Sequence, residues 1–142
     1  MKKFVSYSEE ETIKIAKQIA SKLTKTDILV LSGDLGSGKT KFTEGILDFF
    51  ELKDEISSPT FTIINEYEKD GIKIFHFDVY RLEDVDEFYS IGGDEYFGRG
   101  ICIIEWGERI AEALPKNYIK INFERDLKNE NKRILKIEKI GE

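Results

Sequence analysis

The 142-residue sequence predicts an α/β fold: a mixed β-sheet with helices packed on it and an antiparallel hairpin at its C-terminal end. Three observations carry that prediction. Short runs that are apolar throughout, "DILVLS" and "GICIIEW", read as strands buried on both faces. Segments of helical period, "SEEETIKIAKQIASKL" and "KTKFTEGILDFF", flank the first of those runs. Other runs alternate at period two around polar turns, which belongs to antiparallel pairs.

Taken in order, the first helix has Ser8 as its cap and Glu11 three residues later as the capping-box partner. Ile13, Ala16, Ile19, Ala20 and Leu23 then recur at helical spacing. The run "DILVLS" is too short for a helix, and the helix after it should turn Phe42, Ile46, Phe49 and Phe50 inward. Next, "TFTIINEYE" and "IKIFHFDVY" are joined by "KDG", and Asp-Gly between β-rich runs signals a hairpin. The stretch "LEDVDEFYSIGGDEYF" predicts one or two short helices broken at Gly92-Gly93. After the strand "GICIIEW" comes a short helix, "GERIAEALP", stopped by Pro115. "YIKINFE" and "RILKIEKI", around the polar "RDLKNENK", form the closing hairpin.

Size and composition bound the rest. With no linker, repeat or low-complexity segment, residues 1–142 are expected to form one domain. Forty per cent apolar and 35% charged residues make a globular balance, and no apolar run approaches the roughly 20 residues of a membrane span. The N-terminus "MKKFVSYSEEE" lacks a signal peptide's apolar stretch, and the single cysteine, Cys102, forms no internal disulfide. Cytoplasm is the expected compartment. A net charge of −6, with lysines and arginines spread among acids, disfavours autonomous RNA or DNA binding, since phosphate neutralisation supplies most of that affinity. A place inside a larger RNA-acting assembly stays open.

The chemistry concentrates in "GDLGSGKT", Gly33 to Thr40. Gly33-x-x-x-x-Gly38-Lys39-Thr40 fits the phosphate-binding loop, with an apolar strand before it and an amphipathic helix after. Glycines let consecutive backbone N–H groups converge on phosphate oxygens where a side chain would block the approach. Gly33, Leu35, Gly36, Ser37, Gly38, Lys39 and Thr40 are therefore the candidate phosphate-binding residues. Lys39 adds a mobile positive charge, the Thr40 hydroxyl can ligate Mg²⁺, and the helix N-terminus faces the anion. A Gly-rich strand-to-helix turn without a ligand is the plainer alternative. With the loop, the fold prediction becomes a P-loop NTPase-like three-layer sandwich.

Such a site also needs a carboxylate at the end of a neighbouring strand, for Mg²⁺ and its waters. Asp78 closes "KIFHFD" and Glu105 closes "ICIIE", at strand ends where ligands of open α/β sheets gather. Either acid could instead cap a helix. Between the loop and Asp78, "SSPTF" places Thr60 after the stiff Pro59, either as a γ-phosphate sensor or as a turn entering a strand. His76, the only histidine, suits an orienting hydrogen bond better than acid–base catalysis, and one histidine makes no metal site. Trp106 packs beside a nucleotide, lines a partner surface, or is ordinary core; Arg81 meets a phosphate or pairs with an acid; Cys102 reads as inert core.

Four segments together, "GDLGSGKT", "SSPTFTIINEY", "HFDVYRL" and "IIEWGERI", resemble the TsaE (earlier YjeE) family, small P-loop ATPases of bacterial tRNA threonylcarbamoyladenosine synthesis. "EFYSIGGDEYF" fits that family's Glu-rich helix and the glycine ahead of an aromatic pair. The match runs from the first helix to about Leu114, while the last hairpin matches only in character; Gly107 departs where some members carry proline. The resemblance implies that Lys39 and Thr40 are the loop lysine and a Mg²⁺-ligating threonine. Glu105 matches the acidic Mg²⁺ ligand, and Asp78 the essential aspartate near the γ-phosphate. Ser58-Pro59-Thr60 matches a switch-like segment, and Glu9 and Glu108 fall where the family touches the rest of the nucleotide. ATP and Mg²⁺ are the implied cofactors. The implied partners are TsaB and TsaD, with tRNA met only through that complex.

Other classes remain to be weighed. A small GTPase switch would want Asp-x-x-Gly at Asp78, where this chain has "DVYR", and its only guanine-reading pattern is "TKTD", Thr24 to Asp27, ahead of the loop. A small-molecule kinase would bring an arginine-bearing lid; Arg81, Arg99 and Arg109 are present, yet no basic lid separates from the sheet. A module that reads nucleotide state without turnover is the third alternative.

Overall fold

The computed structural model describes residues 2–33, 38–52 and 64–141. Its centre is one seven-stranded sheet of order β1-β7-β6-β2-β5-β4-β3. The strands are β1 (Lys2–Ser6), β2 (Ile28–Gly33), β3 (Ile64–Lys69), β4 (Ile72–Asp78), β5 (Ile101–Glu105), β6 (Tyr118–Arg125) and β7 (Arg133–Ile140). The middle of the sheet is parallel, β2 lying between β5 and β6 with β4 beyond β5, whereas β1–β7, β6–β7 and β3–β4 pair antiparallel. The expected mixed α/β sheet is what forms.

Alternation along the central strands sorts the core into two layers. Leu29, Leu31, Ile74, Ile101 and Ile103 pack on one face beneath helices α1 (Glu9–Ala20) and α2 (Lys39–Phe49). On the other face Ile28, Val30, Phe75, Phe77, Cys102 and Ile104 meet α3 (Val85–Ser90) and the 3-10 turns over Gly107–Ala113. The all-apolar strands are thus covered on both sides, the reason their sequence shows no polar alternation. Cys102 is fully buried, and burial pushes its thiol up to about 12, as inert core requires. Among the described residues no helix is long and apolar enough to cross a membrane.

Helix α1 begins where its capping pattern places it. The Glu11 N–H donates to Ser8 Oγ at 3.1 Å, and Glu11 Oε2 accepts from the Tyr7 N–H at 2.7 Å, one residue earlier than the usual box. Its buried stripe is Thr12, Ile15, Ala16 and Ala20, with Ile19 and Leu23 at the margin, while the expected Ile13 is only half-buried. The stripe is rotated because Thr12 points inward to share a 2.7 Å hydrogen bond with Ser6 Oγ. The "KDG" turn is as expected: β3 and β4 pair from Lys69↔Ile72, with Asp70 at φ 53° and Gly71 at φ 84°, both positive as a tight hairpin turn demands.

Three elements differ from the sequence expectation. Phe49 is 42% exposed, because the chain leaves the helix there and the Leu52 N–H bonds back to Leu47 O, so that Leu52 fills the inner position. The segment "GERIAEALP" forms 3-10 turns kinked at Ile110 (φ −124°) instead of a regular helix. Strand β1 was not expected at all; "KKFVS" is short, charged and at the sheet edge, where only one neighbour, β7, selects its conformation.

Gly45 sets how closely α1 and α2 approach. A Cβ there would lie 2.6 Å from Ala16 Cβ and 2.9 Å from Ile13 O, so the helices touch backbone to backbone. Gly45→Ala is expected to lower unfolding stability by about 2 kcal/mol through overpacking, despite alanine's better helix propensity. Urea unfolding of the variant measures this; a gain in stability would show that the helices separate without strain.

Candidate phosphate-binding site

The sheet register brings the chemical residues to one edge. On β4 the even positions, Ile74, His76 and Asp78, share the α1/α2 face with Ile101, Ile103 and Glu105 of β5. Asp78 pairs directly with Glu105, and Glu105 with Leu31 of β2, two residues before Gly33. Both acids therefore stand at the carboxyl ends of parallel strands, beside the N-terminus of α2.

Gly38 caps α2 at φ 110°, a conformation that side-chain-bearing residues avoid, and Lys39 and Thr40 begin the helix. Around them opens a cleft of about 400 Å³ lined by α1's start (Ser8, Glu9, Thr12), by Gly38 to Lys41, and by Asp78, Glu105 and Trp106. Asn131 and Arg133 of the C-terminal hairpin complete it.

Lys39 is the central feature. It is only 5% exposed, and its Nζ donates to Gly33 O at 2.8 Å and sits 4.2 Å from the centre of the Trp106 ring. Among the described residues no carboxylate pairs with it. Trp106 holds a left-handed backbone (φ 64°), rare for a bulky residue, and this turns its ring over Lys39 and onto Tyr80, 4.8 Å away. Arg109 lies over the Tyr80 ring at 5.3 Å and donates to Leu82 O at 3.1 Å, tying the turn after β5 to the turn after β4. The following Gly107 is buried so tightly that a Cβ would lie 2.5 Å from Val30 Cγ1; a proline here would displace that contact.

The acids differ in surroundings. Glu105 is half-buried, with Oε2 2.6 Å from His76 Nε2. Asp78 is exposed, its Oδ1 accepting the Tyr80 N–H at 3.2 Å. Thr40 is exposed at the cleft, and Glu9 at its rim lies 3.6 Å from Lys41 Nζ. The Lys41 ammonium is held above its usual range by its hydrogen bond to Glu44 and the charges of Glu44 and Glu9. Glu108 is exposed on the turn after Trp106 and is not among the cleft-lining residues. Leu35, Gly36 and Ser37 of the loop, and Ser58, Pro59 and Thr60, lie outside the described residues.

Sequence reading missed Asn131 and Arg133. Their hairpin alternates like any antiparallel pair, and nothing local marks it. The long-range pairing Gly33↔Phe123 brings the end of β6 level with the loop, so the returning hairpin faces the cleft. The lysine–threonine helix start, the strand-end acids and the parallel centre of the sheet define a P-loop α/β protein.

The comparisons then name the family. The model for "Threonylcarbamoyl adenosine biosynthesis protein TsaE" matches residues 6–134, and the chain belongs to that family. It is similar to the tRNA threonylcarbamoyladenosine biosynthesis protein TsaE of Bacillus subtilis (strain 168), 44% identical over 87% of this chain and 77% of the relative. The TsaE of Aquifex aeolicus (strain VF5) is 38% identical over 96% of both chains. Among solved structures, the crystal structure of Bacillus subtilis YdiB superposes with a TM-score of 0.76 at 33% identity, over 99% of this chain and 86% of that one.

Proposed function

We propose that this chain is the Mg²⁺-dependent, ATP-binding and ATP-hydrolysing subunit that supports threonylcarbamoyl transfer to adenosine 37 of tRNAs reading ANN codons, acting in the cytoplasm with TsaB and TsaD. The family it belongs to is one of threonylcarbamoyladenosine biosynthesis. The observation that carries the nucleotide half of the reading is Lys39, a nearly buried ammonium at the mouth of a helix N-terminus, without a carboxylate partner among the described residues. A buried charge left unpaired is costly, and a triphosphate supplies the missing anion.

The residues suit the metal as well. Among the described residues no group of three or more His, Cys, Asp or Glu could hold an ion unaided. Mg²⁺ is served by less, one or two protein oxygens plus phosphate oxygens and water, and Thr40 and Glu105 offer a hydroxyl and a carboxylate on one cleft. Bound there, the metal would neutralise charge on the phosphates. Backbone amides of Gly36 to Thr40 cradle the chain of phosphates, and Lys39 moves from Gly33 O to the outer oxygens. Asp78, exposed and facing the same cleft, accepts a hydrogen bond from the attacking water and orients it. Thr60 senses the γ-phosphate. Such catalysis works by positioning and charge stabilisation, so partners that complete the site raise a slow intrinsic rate.

Arg133 adds a donor at the cleft. Arg133→Ala is expected to weaken ATP binding roughly tenfold, the worth of one charge-assisted hydrogen bond. Calorimetric titration measures it, and unchanged affinity would remove the hairpin from the nucleotide's surroundings. The whole reading is tested by co-purification with TsaB and TsaD, followed by a threonylcarbamoylation assay with and without ATP. The proposal expects product over repeated cycles only with ATP; equal product without nucleotide, or a strong preference for GTP, overturns it.

A further inference from the structure

We propose that His76 determines which divalent cation the site accepts, by tying one oxygen of Glu105 and leaving the other as a single-point ligand. The inference rests on the reading of Glu105 as a metal ligand. His76 and Glu105 stand diagonally across neighbouring parallel strands, on the face beneath α2. Their side chains are only 17% and 13% exposed, and Nε2 lies 2.6 Å from Oε2. An ionised carboxylate only accepts, so Nε2 carries the proton in this bond. Oε1 has no protein partner among the described residues.

A carboxylate held this way cannot swing to offer both oxygens equally. That restriction suits Mg²⁺, which demands near-octahedral geometry at short distances and takes carboxylates one oxygen at a time. Ca²⁺ accepts bidentate carboxylates and irregular shells, and so gains nothing from the tether. His76 is therefore a positioning residue. It touches neither nucleotide nor metal, and its effect passes through the Glu105 rotamer. Asp78, two residues along the same strand, has no side-chain tether of this kind among the described residues and accepts the Tyr80 backbone N–H instead.

The test is calorimetric binding of a non-hydrolysable ATP analogue in saturating Mg²⁺, in saturating Ca²⁺ and in EDTA, for the wild type, His76→Phe, His76→Gln and Glu105→Ala. His76→Phe is expected to lose about tenfold of the affinity gained from Mg²⁺, while the gain from Ca²⁺ and the EDTA value stay within about twofold. His76→Gln, which keeps an N–H donor of similar reach, restores the Mg²⁺ gain. An undiminished Mg²⁺ gain in His76→Phe overturns the inference, as does an equal loss for both cations or a loss already present in EDTA. If the wild type gains nothing from Mg²⁺, or Glu105→Ala keeps the gain, the ligand role of Glu105 itself fails.

Discussion

Replacing Lys39 by alanine is expected to weaken ATP binding by about two orders of magnitude without lowering the stability of the fold. Two charge-assisted hydrogen bonds to phosphate oxygens, at roughly 1.5 kcal/mol each, give that figure. The second half of the expectation is the more diagnostic. Lys39 is 5% exposed, yet among the described residues its ammonium meets only Gly33 O and the face of Trp106. Removing a desolvated charge that has no acidic partner among the described residues relieves the protein of a cost, so the unfolding midpoint should hold or rise. Calorimetry and thermal unfolding on one preparation separate the two effects. Lost affinity with a lower midpoint would mean that Lys39 is structural, and that the cleft is shaped by it rather than served by it.

Glu105→Ala is expected to lower ATP turnover in the presence of the partners by roughly 10²–10³-fold, and ATP affinity in Mg²⁺ by less, about tenfold or somewhat more. That range is typical for deleting one preorganised group that stabilises a transition state. The variant also frees His76, whose ring is held across the strands by the 2.6 Å bond to Oε2, so a modest loss of stability should accompany it. Asp78→Ala should reduce turnover comparably and leave the fold intact, because Asp78 is exposed and, among the described residues, holds only the Tyr80 N–H. Steady-state hydrolysis with TsaB and TsaD present measures both. Normal turnover in the two variants would contradict the roles given to these acids.

Much of this was legible in the sequence, for local reasons. The loop is a contiguous pattern, and the strand-end positions of Asp78 and Glu105 follow from where apolar runs stop. The sheet register then does what the reading needed, setting Asp78 opposite Glu105 and Glu105 beside Leu31. The hairpin at Asp70-Gly71 was equally plain, since two positive-φ residues leave few amino acids to choose from.

What escaped depends on contacts distant in sequence. Strand β1 exists because β7 offers it an edge, and "KKFVS" alone carries too few apolar residues to announce a strand. Arg133 and Asn131 reach the cleft only through the parallel pairing of β6 with β2. The partner of His76 is likewise a tertiary fact. Sequence places it two residues from Asp78, whereas side-chain alternation and the neighbouring strand give it to Glu105. The left-handed turn at Trp106, which lays its ring over Lys39, has no glycine to signal it.

The central claim is that the cleft at the start of α2 holds a nucleotide's phosphates. A crystal structure grown with ADP and Mg²⁺ tests it most directly. The account predicts phosphate oxygens within hydrogen-bonding distance of the Gly38, Lys39 and Thr40 amides, with the metal between the Thr40 hydroxyl and Glu105. Nucleotide bound at another surface, with Lys39 still on Gly33 O, would contradict it.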